Sequence, residues 1–260
     1  MPQRTAVIYQ YDGSFDGMLC CVFRAVYRRE TPMSIVAEDH AQETLLETVL
    51  IDTEEDKARR VRRSIPEKLG PGALRAVEWC FLSDLPEREL AILAFLRLGY
   101  RVGPKLLGML AEPCVHRVLT AARGVANEAH LLKGFTRFSQ YGGALAAQIE
   151  PKNDVLPILA RHFRARMPEE SFLIYDRTHR VALLCSGGCF RFLPLDSLEL
   201  PEAGAQERMY RQLWTRFYNT ISIEGRYNPK CRMTHMPKRY WAMMTEFQPD
   251  DQAALPEGKT

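Results

Sequence analysis

Residues 172–193 read FLIYDRTHRVALLCSGGCFRFL. Two apolar runs, 172–175 and 181–184, flank Asp176-Arg177-Thr178-His179, which predicts a β-hairpin. Residues 190–193 add another strand after Gly187-Gly188. Just upstream, 143–149 predicts a further strand, and Pro151-Lys152-Asn153-Asp154 a turn and cap. A helix follows over 155–167, VLPILARHFRARM, where Pro157 is tolerated because it falls in the first turn. Residues 205–223 read as one more helix. The middle of the chain is therefore expected to hold a small, mostly antiparallel sheet.

The N-terminal half has a different rhythm. Residues 5–11, TAVIYQY, predict a buried strand broken by Asp12-Gly13. Ser14 predicts the N-cap of a helix through about Arg29, with Phe15, Met18, Leu19, Val22, Phe23 and Val26 at helical spacing. Residues 38–56 carry eight acids and no Lys or Arg, and 56–68 carry six bases against two acids. The basic run predicts a helix ended by Pro66 and Gly70. Because the two halves nearly cancel, Arg59, Arg60, Arg62 and Arg63 are expected to be neutralised within the fold. Pro71-Gly72 and Pro86 open two more helices, Gly99 and Gly103 mark a turn, and a long helix runs from about Glu112 to His130. The expected class is α+β. A mainly helical part with a first strand covers 1–135, the small sheet part 136–200, a C-terminal helix and basic aromatic arm 201–247, and a frayed tail 248–260, all in one compact unit.

Of the 260 residues, 46% are hydrophobic and 26% charged, the proportions of a soluble globular protein. The net charge of +3 excludes a uniformly basic nucleic-acid glue and leaves only local patches. No apolar run approaches the ~18 residues of a membrane span, so no membrane partner is expected. MPQRTAVIYQYDG lacks the long apolar core of a secretory signal. Seven cysteines, an odd number without disulfide-like spacing, point to the reducing cytoplasm.

The segment 224–243 is the most suggestive for chemistry. Arg226, Lys230, Arg232, Lys238 and Arg239 stand against one acid, Glu224, with Tyr227, Tyr240 and Trp241 interleaved. Bases attract phosphate and flat rings stack nucleobases. The alternative is a strap whose rings pack on the core while its bases stay solvated. Asp12 either caps the first helix or, with Tyr11, marks a site at the carboxyl end of a strand. His116, Arg123, Asn127 and His130 share one face of the long helix. His116 and His130, with Glu128, His162, Asp176 and His179, are the acid–base candidates, and no motif fixes any two of them together. Cys185, Cys189, Cys231 and His235 would supply four zinc donors as C-x3-C and C-x3-H. Their spacing is not that of a zinc knuckle, so packed sulfur is the preferred reading and no metal is expected. There is no P-loop, Gly-x-Ser-x-Gly, His-Glu-x-x-His or iron–sulfur cysteine run, and no cofactor is expected.

Several segments together resemble one bacterial family. They are Tyr11-Asp12-Gly13-Ser14-Phe15-Asp16-Gly17, Glu128-x-His130 with 133–138 (KGFTRF), 149–157 (IEPKNDVLP), His162-Phe163, Ile174-Tyr175-Asp176 and 236–241 (MPKRYW). The family comprises DNA-repair or DNA-metabolism proteins of unsettled molecular activity. Its members resemble partners of a radical-SAM protein encoded next door, and some are fused to a uracil-DNA-glycosylase-like domain. The resemblance implies a role linked to DNA and a radical-SAM partner, and it transfers no catalytic residue. No uracil-pocket motif is present, so uracil excision by this chain alone is not expected. The expected function is a DNA-binding accessory module without stand-alone activity. The alternatives are an enzyme using the His116–His130 face or the Asp176/His179 turn, and a protein-only scaffold.

Overall fold

The ring-bearing run at residues 7–11 becomes the middle strand of a parallel sheet in the computed structural model, which describes residues 3–4, 6–38, 46–220 and 228–247. The chain divides into two units, Met1–Ala126 and Asn127–Thr260.

In the first unit, β1 (Gln3–Arg4) precedes β2 (Val7–Tyr11), and α1 (Phe15–Tyr27) starts at the Ser14 cap. The Ser14 hydroxyl accepts from Gly17 N at 2.9 Å, as its position before the apolar periodicity predicts. Then come β3 (Glu30–Thr31), β4 (Ser34–Ala37) and β5 (Glu47–Leu50). β4 and β5 flank β2 on either side, all parallel, while β3 pairs with β1. Tyr9 and Tyr11 are fully buried and share one apolar core with Met18, Leu19 and Val22 of α1.

The helices α2 (Glu55–Leu69), α3 (Pro71–Phe81) and α4 (Arg88–Val102) complete that core, followed by a 3-10 turn over Gly103–Gly108. Two sequence expectations are corrected here. Pro66 lies inside α2, because Ile65 and Leu69 are both fully buried and hold the last turn to its end at Gly70. Gly99 lies inside α4 and is not a turn. The basic run of α2 is neutralised only in part by the acidic stretch before it: Arg60 lies over the Phe23 ring at 5.8 Å, and of the other three only Arg59 finds its acids there. Arg59 pairs with Glu55 and Asp56, Arg63 with Glu67, and Arg62 with Asp16 at 2.7 Å and Glu78 at 3.1 Å.

The helix α5 (Pro113–Phe135) carries the chain into the second unit. There β6 (Ser139–Tyr141), β7 (Ala144–Ile149), α6 (Leu156–Arg166), β8 (Phe172–Asp176), β9 (Val181–Ser186) and β10 (Cys189–Pro194) follow. The sheet order is β10-β9-β8-β7-β6, antiparallel except for the β7–β8 pair joined through α6. Gly187 and Gly188 both take positive φ, which the two-residue turn between β9 and β10 requires. Phe138, Phe163 and Phe172 form an edge-to-face cluster under the sheet. The remaining elements are α7 (Ala205–Thr220), α8 (Pro229–His235) and 3-10 turns over Lys238–Met243 and Thr245–Phe247. The expected frayed tail and the last three residues of the 205–223 helix lie outside the described residues.

Gly99 gives a test of the first core. A methyl group there would collide with Leu69 Cδ2 and come within 2.7 Å of Leu106 Cδ2, both side chains fully buried. G99A is expected to destabilise the protein by about 1–3 kcal/mol through overpacking, seen as a lowered urea midpoint.

Candidate functional site

β7 and β8 run parallel, so their carboxyl ends open side by side, with Ile149 opposite Asp176. The loop after β7 supplies Lys152 and Asn153, and the turn after β8 supplies Thr178 and His179. Carboxyl ends of parallel strands are where loops of such units gather polar groups.

At this edge Glu128, from α5, is 3% exposed. Its carboxylate accepts from Lys152 N at 3.1 Å, Asn153 N at 2.9 Å, the Asn153 side-chain amide, Arg239 Nη2 at 2.9 Å and the Tyr240 hydroxyl at 3.2 Å. Five donors saturate both oxygens. Glu128 is therefore a clamp that ties α5, the 150s loop and the C-terminal arm together, and it offers no lone pair to a substrate.

Asp176 is fully buried at the end of β8. It accepts from Thr178 N at 2.9 Å, His179 N at 3.1 Å and His179 Nδ1 at 2.7 Å. The hydrogen bond that His179 gives to Asp176 pushes the His179 pKa up, burial opposes this, and the charges of Asp176, Asp154 and Glu128 add to the rise. The dyad fixes Nδ1 inward, leaving Nε2 as the nitrogen that can exchange a proton or meet an anion. His162, by contrast, is pushed down by burial and by Lys133 and Arg166.

Of the two readings of the arm, its described rings follow the strap. Tyr240 is 3% exposed, packed against Phe135 at 5.6 Å, and burial with the nearby Glu128 charge raises its hydroxyl to about 12. A ring so covered cannot stack a nucleobase, which corrects its expected role. Trp241 stacks on Phe247 at 4.5 Å, and Arg232 lies over the same indole at 5.0 Å. Arg239 is held by Glu128. Lys230 and Lys238 are exposed, and Arg226 and Tyr227 lie outside the described residues.

A second clamp, invisible in the sequence, holds the end of the arm. Arg137 bonds the buried Glu246 at 2.7 and 3.1 Å. Burial works to raise the Glu246 carboxyl, but the Arg137 bonds hold it below the usual range. A third ties α7 to the sheet. Glu207 accepts from Gln140 N at 3.1 Å and Arg211 Nε at 2.9 Å, and Arg211 also donates to Ser139 Oγ at 2.6 Å. The local signal for this third clamp is the i, i+4 pair of Glu207 and Arg211, with Met209, Leu213 and Phe217 on another face of the same helix.

The other candidates are not gathered in this way. His116, Arg123, Asn127 and His130 are all exposed on α5. Asp12 in the first unit accepts from Ser14 N at 2.9 Å, Ser14 Oγ at 2.7 Å and Thr53 Oγ1 at 2.8 Å. Slight burial opposes it, but those bonds hold its carboxyl below the usual range. Cys185 faces Phe190 across the hairpin and is buried, while Cys189, Cys231 and His235 are exposed. Among the described residues no three His, Cys, Asp or Glu side chains stand close enough to hold a metal ion. No described helix is long and apolar enough to cross a membrane.

An α+β chain with a carboxylate-clamped polar edge and a basic C-terminal arm is the class of protein these features define. The chain belongs to the family described as a domain of unknown function, DUF4130, whose profile matches residues 86–246. That span includes α5, the whole second sheet, α7 and the arm up to Glu246. No curated protein and no solved structure matches the chain.

E128Q removes the charge that all five donors share. It is expected to cost about 3 kcal/mol, measured by urea unfolding, because buried donors and the Arg239 cation lose their partner. D176N keeps an acceptor for Thr178 N and His179 N but removes the charge that favours imidazolium. The His179 pKa, read from its ring-proton shifts by NMR, is expected to fall. In the wild type the folded pKa lies above the unfolded value, so the pair's stabilisation is complete below about pH 6.5. It is lost as pH rises through the folded pKa, and D176N should flatten that part of the Tm–pH curve.

Proposed function

We propose that this chain is a DNA-binding accessory module whose second unit contacts the polyanion, working alongside a radical-SAM protein that performs the chemistry. The supporting observation is a charge asymmetry. Residues 1–126 carry 17 bases and 17 acids, whereas residues 127–247 carry 17 bases and 12 acids. Glu128, Glu246 and Glu207 are each engaged by an arginine and Asp176 by His179, so the excess of bases over acids is carried by the remaining side chains of this unit. Lys230 and Lys238 are exposed, Lys238 lies over Trp241, and the Arg232–Trp241–Phe247 stack orders the segment that carries them. An ordered basic surface neutralises phosphates without paying for the ordering at the moment of binding. The radical-SAM partner rests on the family resemblance of the quoted segments. The Glu128 carboxylate, already saturated by five donors, suits a positioning task and so fits an accessory role.

The test is a salt titration of DNA binding. The triple variant K230A/R232A/K238A is expected to lower the slope of log K against log salt by roughly 0.7–0.9 for each phosphate that is no longer neutralised. An unchanged slope would remove the arm from the interface.

A further inference from the structure

α7 is turned inside out. Its polar residues Glu207 and Arg211 bond to β6 and Thr215 is buried, while Met209, Tyr210, Leu213, Trp214 and Phe217 are exposed. Tyr210 is 53% exposed, Trp214 40% and Phe217 53%, with Met209 and Leu213 beside them. A helix normally buries such a stripe, and a contiguous exposed stripe marks a binding surface.

Its edges say what the stripe suits. Glu207 is the only acid on α7 and is engaged with Arg211 and Gln140 N. Arg208 and Arg216 are exposed on the same helix. At the other edge Arg137 lies over the Trp214 ring at 5.4 Å, held there by Glu246. The stripe is also continuous with the arm, since Tyr218 of α7 meets Phe247 at 5.6 Å, Phe247 stacks on Trp241, and Lys238 lies over Trp241 at 5.9 Å. Trp214 and Phe217 sit 5.8 Å apart with planes 30° from parallel. The surface thus offers rings at close spacing, bounded by cations and free of described acids on the helix face.

We propose that the outward face of α7 is a stacking platform for single-stranded nucleic acid, with Tyr210, Trp214 and Phe217 receiving unpaired bases while the arm and Arg216 follow the phosphates. This rests on the DNA-binding reading above and narrows its ligand. Bases in a duplex hide their faces, so a ring platform selects unpaired strands. A second copy of this chain would bring Arg208 and Arg216 against the same basic rim, which disfavours self-pairing.

The experiment uses the full chain with fluorescein-labelled oligothymidine of twelve nucleotides and a duplex of equal length, read by anisotropy. The wild type should bind the single strand at least about tenfold more tightly. W214A and F217A should each weaken it by roughly 5- to 150-fold, with the salt slope unchanged. W214F should retain most of the affinity, which separates stacking from a folding defect. Binding that survives W214A and F217A unchanged would overturn the platform and leave the arm's role standing. Failure of the wild type to bind either nucleic acid would overturn both readings. A wild-type dimer in sedimentation that W214A dissociates, with DNA affinity unaffected, would overturn the platform in favour of a second copy.

Discussion

The second unit depends on one buried carboxylate. Glu128 sits at 3% exposure, and a charge there without partners would cost several kcal/mol. It is tolerable only because donors 24, 25, 111 and 112 residues further along the chain converge on it. That convergence fixes where the loop after β7 and the 3-10 turn of the arm must lie. Tyr240 completes the arrangement by giving its hydroxyl to Glu128 while its ring packs on Phe135. From there Arg137–Glu246 and Arg211–Glu207 repeat the same device, an acid turned inward onto an arginine. Such pairs are weak sources of net stability and strong specifiers of position, because each misplacement strands a charge.

The sequence was legible where local periodicity and long-range packing agree. The run 172–193 sets two apolar runs on either side of Asp176-Arg177-Thr178-His179 and carries Gly187-Gly188, so β8, β9 and β10 follow from pattern alone. β4 and β5 were not legible. They are four residues long, paired in parallel at the edges of β2, and β5 is mostly exposed, so no alternation distinguishes them beside an acidic stretch. Gly99 misleads for a related reason. A glycine that permits a turn and one that permits close packing look alike locally, and only Leu69 and Leu106 decide between them.

The site was legible as ingredients and not as an assembly. Glu128, Asn153, Asp176, Arg239 and Tyr240 all lie in the segments that carry the family resemblance. Nothing in their spacing says that Glu128 meets Arg239 across 111 residues while His116 and His130, one face away on the same helix, stay exposed. Tyr240 is ambiguous by chemistry, since a phenol serves equally as a stacking ring and as a buried donor. The burial of Glu128 selects the donor role.

Amphipathicity likewise gives a helix two faces without saying which is turned in. In α7 the Glu207–Arg211 pair finds three polar partners on β6, Ser139, Gln140 and Tyr141, so the polar face is drawn to the sheet edge. The rings are left outside as a consequence. The same preference for internal carboxylates therefore produces both unusual features of this unit. It pairs off three acids with three arginines, while Lys230, Lys238 and Arg216 stay exposed, and it leaves Tyr210, Trp214 and Phe217 exposed on α7. A basic rim and an outward ring stripe thus have one physical origin, in where the acids of the second unit are satisfied.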